Sequence, residues 1–153
     1  GNPTCIHPAR KREVGERLAF LALANDYGVT GLPAPAPVYK SMERDGNKLV
    51  LTFDNLPVRA QNGVDSFVAF GPDGYRRPGG FEIAGEDRVF HPAVANFKYW
   101  DNRIEVSSDR VPDPVAVRYA FRNYCPEANV VTTMGQPLAP FRTDDWTDGA
   151  KRY

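Results

Sequence analysis

The residues of this 153-residue chain that are suited to chemistry are two histidines, four serines and one pair of adjacent aspartates. His7 stands in "CIHPARKREVGERLAFLAL", directly before Pro8 and an apolar pattern of helical period. An imidazole titrates near neutral pH, so at the mouth of a helix it can serve as general base toward a hydroxyl nucleophile. That role requires a nucleophile within hydrogen-bond reach and a group that orients the ring. Ser41, Ser66, Ser107 and Ser108 all fall in strand or strand-end contexts, and none sits on a strand-to-helix elbow. If His7 is a base, its serine lies outside this chain.

The remaining candidates carry less. His91 sits inside a strand pattern before Pro92 and reads as a structural histidine. Asp144 and Asp145 lack the alternating oxygen ligands of a calcium loop. Trp100, Trp146 and the tyrosines are accounted for by packing better than by a sugar-binding face. Cys5 and Cys125 are too far apart for a metal-ligand cluster and too few for a disulfide framework. No phosphate-binding glycine loop, zinc spacing or G-x-S-x-G elbow is present, so no metal or cofactor is expected.

The elements that must position these residues follow from composition and period. Hydrophobic residues make up 42% and charged residues 25%, enough apolar content for a packed core. Nineteen basic residues balance nineteen acidic ones, which speaks against nucleic acid as a partner. No apolar run of about 18 residues marks a membrane span. Val14, Leu18, Leu21 and Ala22 recur at helical spacing, Pro8 suits a first turn and Gly28 a stop, predicting a helix over 8–27. Arg10, Lys11 and Arg12 read as a solvated face rather than an anion site. Phe20 and Leu23 broaden the apolar surface, so the helix needs a partner. That partner is either the rest of the chain or a second copy, as a homodimer through the helix.

"VTGLPAPAPVY" then reads as a stiff extended linker, 29–37, because proline at alternate positions can join neither a helix nor a central strand. After it the period falls to two. Asp45-Gly46 marks a hairpin before "KLVLTF", with Leu49, Leu51 and Phe53 on one face. Further strands are predicted at 66–70, 80–84, 88–97, 103–108 and 115–121. Short strands about ten residues apart without helices between them indicate a mainly β fold, an antiparallel β-sandwich preceded by one N-terminal α-helix. From Asn123 onward the chain reads as irregular, with "PFRTDDW" (140–146) as a closing strap.

"IHPARKREVGERLAFLAL", "GFEIAGEDRVFHPA", "VSSDRVPDPVAVRYAF" and "LAPFRTDDW", in that order, resemble the C-terminal portion of the sialate O-acetylesterase family. These carbohydrate esterases are SGNH-type hydrolases. The resemblance implies that 1–28 is the histidine loop and last helix of an α/β catalytic domain, and that 38–153 is an appended β-sandwich. It implies that His7 is the catalytic base and that the upstream part of the enzyme carries the nucleophilic serine. The substrate would be an O-acetylated sugar, and the setting secreted or periplasmic. The family pattern places an Asp three or two residues before the histidine, where this chain has Thr4 and Cys5. Cys5 is itself a poor nucleophile candidate, because it would have to turn back onto His7 within a short loop. The alternative reading is a non-catalytic β-sandwich module that braces a catalytic domain or binds glycan.

Overall fold

The computed structural model describes residues 4, 7, 10–56, 67–71, 74–75, 77–98, 102–147 and 151–152. Among them are one helix, α1 (Lys11–Asn25), and twelve strands. The strands are β1 (Val38–Asp45), β2 (Lys48–Asp54), β3 (Phe67–Gly71), β4 (Gly74–Tyr75), β5 (Phe81–Ala84), β6 (Val89–Pro92), β7 (Val94–Lys98), β8 (Arg103–Ser107), β9 (Ala116–Tyr119), β10 (Val130–Thr132), β11 (Phe141–Arg142) and β12 (Lys151–Arg152).

Helix α1 is shorter than the 8–27 pattern. Arg10 precedes it without a side-chain cap, and Pro8 lies outside the described residues. At its far end Gly28 takes φ +66, a value glycine reaches without strain, and the Val29 N–H turns back to donate to the Leu23 carbonyl at 3.0 Å. No residue of the helix is buried. Arg12 and Glu16 pair across one turn at 2.7 Å in full view of solvent, as a solvated charged face should.

The strands form three sheets, ordered β1-β2-β8-β7, β10-β3-β4 and β11-β9-β5-β6-β12. Every pairing is antiparallel except β12 with β6. The predicted hairpin closes at Asp45↔Lys48, with Gly46 at φ +59 in the first central position, where a primed two-residue turn needs positive φ. Leu49, Leu51 and Phe53 of β2 face inward as the alternation requires. They meet Ile104 and Val106 of β8, and across the layer Phe81, Ile83, Val117 and Tyr119. The antiparallel β-sandwich is therefore the fold.

Two expectations are corrected. The strand predicted over 88–97 is two strands in different sheets, parted at Ala93. Pro92 has no N–H to continue a ladder, and the Ala93 N–H instead donates to the Phe81 carbonyl at 3.1 Å while the chain crosses over. The region after Asn123 is not wholly irregular: Val130 and Thr132 of β10 are buried beside β3.

Candidate functional site

His7 lies at a bend four residues before the start of α1, and its side chain is exposed. Thr4, on the same approach, is exposed as well, while Cys5 lies outside the described residues. Two of the serines are hydrogen-bonded within the sandwich. The Ser41 hydroxyl meets that of Thr52 at 2.6 Å across β1 and β2, and the Ser108 hydroxyl donates to the Pro92 carbonyl at 3.2 Å. Ser107 closes β8, and Ser66 lies outside the described residues. His91 is half-buried on β6, in register with Ile83. No group of His, Cys, Asp and Glu arranged to hold a metal ion occurs among the described residues.

Of the aspartate pair, Asp144 has a structural use. The strap that follows Pro140 adds β11 to the edge of β9, and Thr143 locks it: its N–H donates to the Val117 carbonyl and its hydroxyl oxygen accepts from the Val117 N–H. Asp144 then turns onto the outer face of the sheet and takes two hydrogen bonds from Arg118. Trp146 covers Phe90 with ring centroids 5.7 Å apart, beside Ala84 and Ala116. The Arg118 guanidinium lies 4.0 Å from the Phe90 ring and Arg88 lies 5.4 Å from Trp146, so cations and rings alternate along the strap. Asp145 remains exposed. Trp100 lies outside the described residues.

The segment read as a linker is fixed to the sandwich. The Ala139 N–H donates to the Pro37 carbonyl at 3.1 Å, the Asn55 amide to the Ala36 carbonyl at 3.3 Å, and the Gln136 amide to the Pro33 carbonyl. Gln136 is buried and held in turn by Thr132, whose hydroxyl accepts its N–H at 3.1 Å. Between this segment and the sheet opens a cleft of about 370 Å³, bounded by Leu32, Pro33 and Ala34 on one side and Leu56, Met134 and Gln136 on the other. Nothing in the linker's composition announced that Gln136, a hundred residues on, would hold it. The only cue was a polar residue flanked by turn formers in "TTMGQPL".

The fold thus defines an antiparallel β-sandwich with a leading helix, and that class has a solved counterpart. The chain is similar to the crystal structure of a carbohydrate acetylesterase from Xanthomonas citri, at 43% identity over 95% of this chain with a TM-score of 0.81. It spans 31% of the length of that protein. The resemblance to a carbohydrate acetylesterase read from the sequence segments is borne out. No protein-family model matches the chain, and no curated protein matches it.

Proposed function

We propose that this chain is the C-terminal portion of a carbohydrate O-acetylesterase of the SGNH type, in which His7 is the catalytic base and an upstream serine the nucleophile. The observation that carries the reading is the 43% identity to a carbohydrate acetylesterase across nearly the whole chain. The exposed position of His7 ahead of α1 is compatible with approach by a partner segment.

In this reading the serine hydroxyl attacks the acetyl carbonyl as His7 accepts its proton. The imidazolium then returns that proton to the sugar oxygen as the ester C–O bond breaks. Water, deprotonated by His7, attacks the acyl-serine, and His7 returns that proton to the serine oxygen as the acyl C–O bond breaks and acetate leaves. Donors outside this chain hold the oxyanion. With no carboxylate at Thr4 or Cys5, the ring is oriented by a backbone carbonyl or by an upstream carboxylate. An O-acetylated sialic acid or another O-acetylated sugar is the substrate.

The test is His7→Ala in the whole polypeptide, assayed on an O-acetylated sugar. The rate is expected to fall by roughly three orders of magnitude or more with the melting temperature unchanged. Full activity in that variant would end the reading. A second reading, the sandwich as a brace for a catalytic domain, is favoured by the hydrogen bonds that fix 33–37 onto it. It is compatible with the first.

A further inference from the structure

The apolar surface of this chain is unevenly distributed. Of its ten large exposed apolar side chains among the described residues, five fall between 14 and 29: Val14, Leu18, Leu23, Tyr27 and Val29. Leu18 is 62% and Tyr27 76% exposed. Phe20 and Leu21 on the same helix are only half covered, so α1 is apolar on more than one side and buried on none. Its second half, 18–24, is apolar at every position, and such a stretch belongs against a larger core.

Among the described residues, the two faces of the sandwich offer no comparable run of exposed apolar side chains. On the outer side of the β1-β2-β8-β7 sheet, Glu43 pairs with Arg103 at 2.6 Å, and Glu105 with Lys98 at 2.8 Å and Lys48 at 3.3 Å. Such a lattice of opposite charges is suited to water. The outer side of the β11-β9-β5-β6-β12 sheet is already covered by the strap. Val38, Val94, Phe121 and Tyr124 are exposed as well, but the cleft is the surface that the chain leaving α1 itself lines. Met134 stands there 46% exposed, with Leu56 half-buried at the same mouth.

These two surfaces are tied together. The residues from Asp26 to Gly31 join the helix to the cleft wall, and fully extended they reach about 20 Å at most. The cleft wall itself is held by Gln136 and Asn55. Any body that covers the helix must therefore rest close to the cleft. The matched acetylesterase is about three times as long as this chain, which spans 31% of it, so there is ample polypeptide to supply such a body.

We propose that helix α1 and the Leu32–Met134 cleft form one continuous seat for the upstream portion of the same polypeptide, which buries Met134 and the exposed face of the helix. The proposal rests on the reading of this chain as the later part of a longer esterase. It adds that the sandwich contacts the upstream portion directly and sets its orientation.

Oxidative footprinting of the whole polypeptide tests it. This chain has only two methionines, Met42 and Met134, and mass spectrometry separates their peptides. Peroxide modifies a thioether according to its access to solvent. Met134 is therefore expected to react roughly tenfold more slowly in the native protein than in urea. Reaction of Met134 at about half the urea rate or faster, as its exposure in this chain alone dictates, would overturn the proposal. Protection that appears only as concentration rises, with a doubled mass in light scattering, would assign the surface to a second copy and overturn it too. The same preparation is assayed on an O-acetylated sugar. Protection without hydrolysis keeps the seat and removes the esterase reading, whereas hydrolysis without protection removes the seat alone.

Discussion

Arg118 of β9 grips Asp144 of the C-terminal strap through two hydrogen bonds, Nε to Oδ2 at 2.8 Å and Nη2 to Oδ1 at 2.6 Å, with the two side chains 7% and 0% exposed. The bidentate geometry uses the planar fork that lysine lacks. Removing one partner strands the other charge in a dry site. Asp144→Ala is expected to lower stability by about 3–5 kcal/mol, and Arg118→Ala by a similar amount. Arg118→Lys should recover only part of the loss. Denaturant unfolding of the variants checks this, and an Asp144→Ala protein as stable as the parent would refute the latch.

The same pair sets an acid limit. Burial pushes the Asp144 carboxyl upward, but the hydrogen bonds and charge of Arg118 outweigh it and leave the group below the usual carboxylate value. A carboxyl depressed in the folded state contributes stability above its unfolded value of about 3.9 and loses it as the pH falls through the folded value. Below about pH 4 the strap should therefore loosen, and Trp146 should move off Phe90. Tryptophan fluorescence followed from pH 6 to 2 would show the change. In Asp144→Asn this part of the acid dependence should vanish.

Tyr119 predicts behaviour at the opposite end of the scale. Its ring is buried against Phe81 at 4.6 Å, and its hydroxyl accepts the Val130 N–H at 3.2 Å. Burial pushes the phenol up to about 12. A phenol raised in the folded state gives stability that is complete below its unfolded value of about 10 and is lost as the pH climbs through the folded one. Tyr119→Phe should remove that alkaline limb. It should also cost about 1–3 kcal/mol at neutral pH, because the Val130 N–H is left unpaired in the core. Thermal melts at pH 7 and pH 11 separate the two effects.

Gly80 is required for a different reason from Gly135. Both have positive φ, +88 and +82. A Cβ on Gly80 would also meet the Ala128 Cα at 2.9 Å, whereas nothing lies within 4 Å of one on Gly135. Gly135→Ala should cost only the strain of its backbone, about 1 kcal/mol. Gly80→Ala must also push away the 125–128 loop and should cost two to three times more, roughly 2–3 kcal/mol. Equal melting temperatures for the two variants would contradict this.

Much of the architecture was legible in the residues themselves. Period-two alternation placed Leu49, Leu51 and Phe53 on the inner face, and Asp45-Gly46 located the hairpin to within a residue. The helix ends at Asn25, and Gly28, read from the sequence as its stop, takes the positive φ that turns the chain back just beyond it, because that freedom is a local property. Each of these signals is carried by neighbours in sequence, which is why the chain could be read from them.

Tertiary structure decided the rest. Whether 88–97 was one strand or two depended on which sheet offered partners beyond Pro92. β10 is only three residues long and is a strand because β3 lies beside it. Asp144 became a latch instead of a metal or catalytic carboxylate once β9 had brought Arg118 beneath it, 26 positions away. Likewise 33–37, extended by its prolines in any context, was fixed in place by Asn55, Gln136 and Ala139, all distant in sequence. Local periods select helix, strand and turn because they depend on backbone torsion and side-chain alternation. The partner of a buried charge or a lone amide is chosen by the packing of distant segments, and no stretch of sequence contains it.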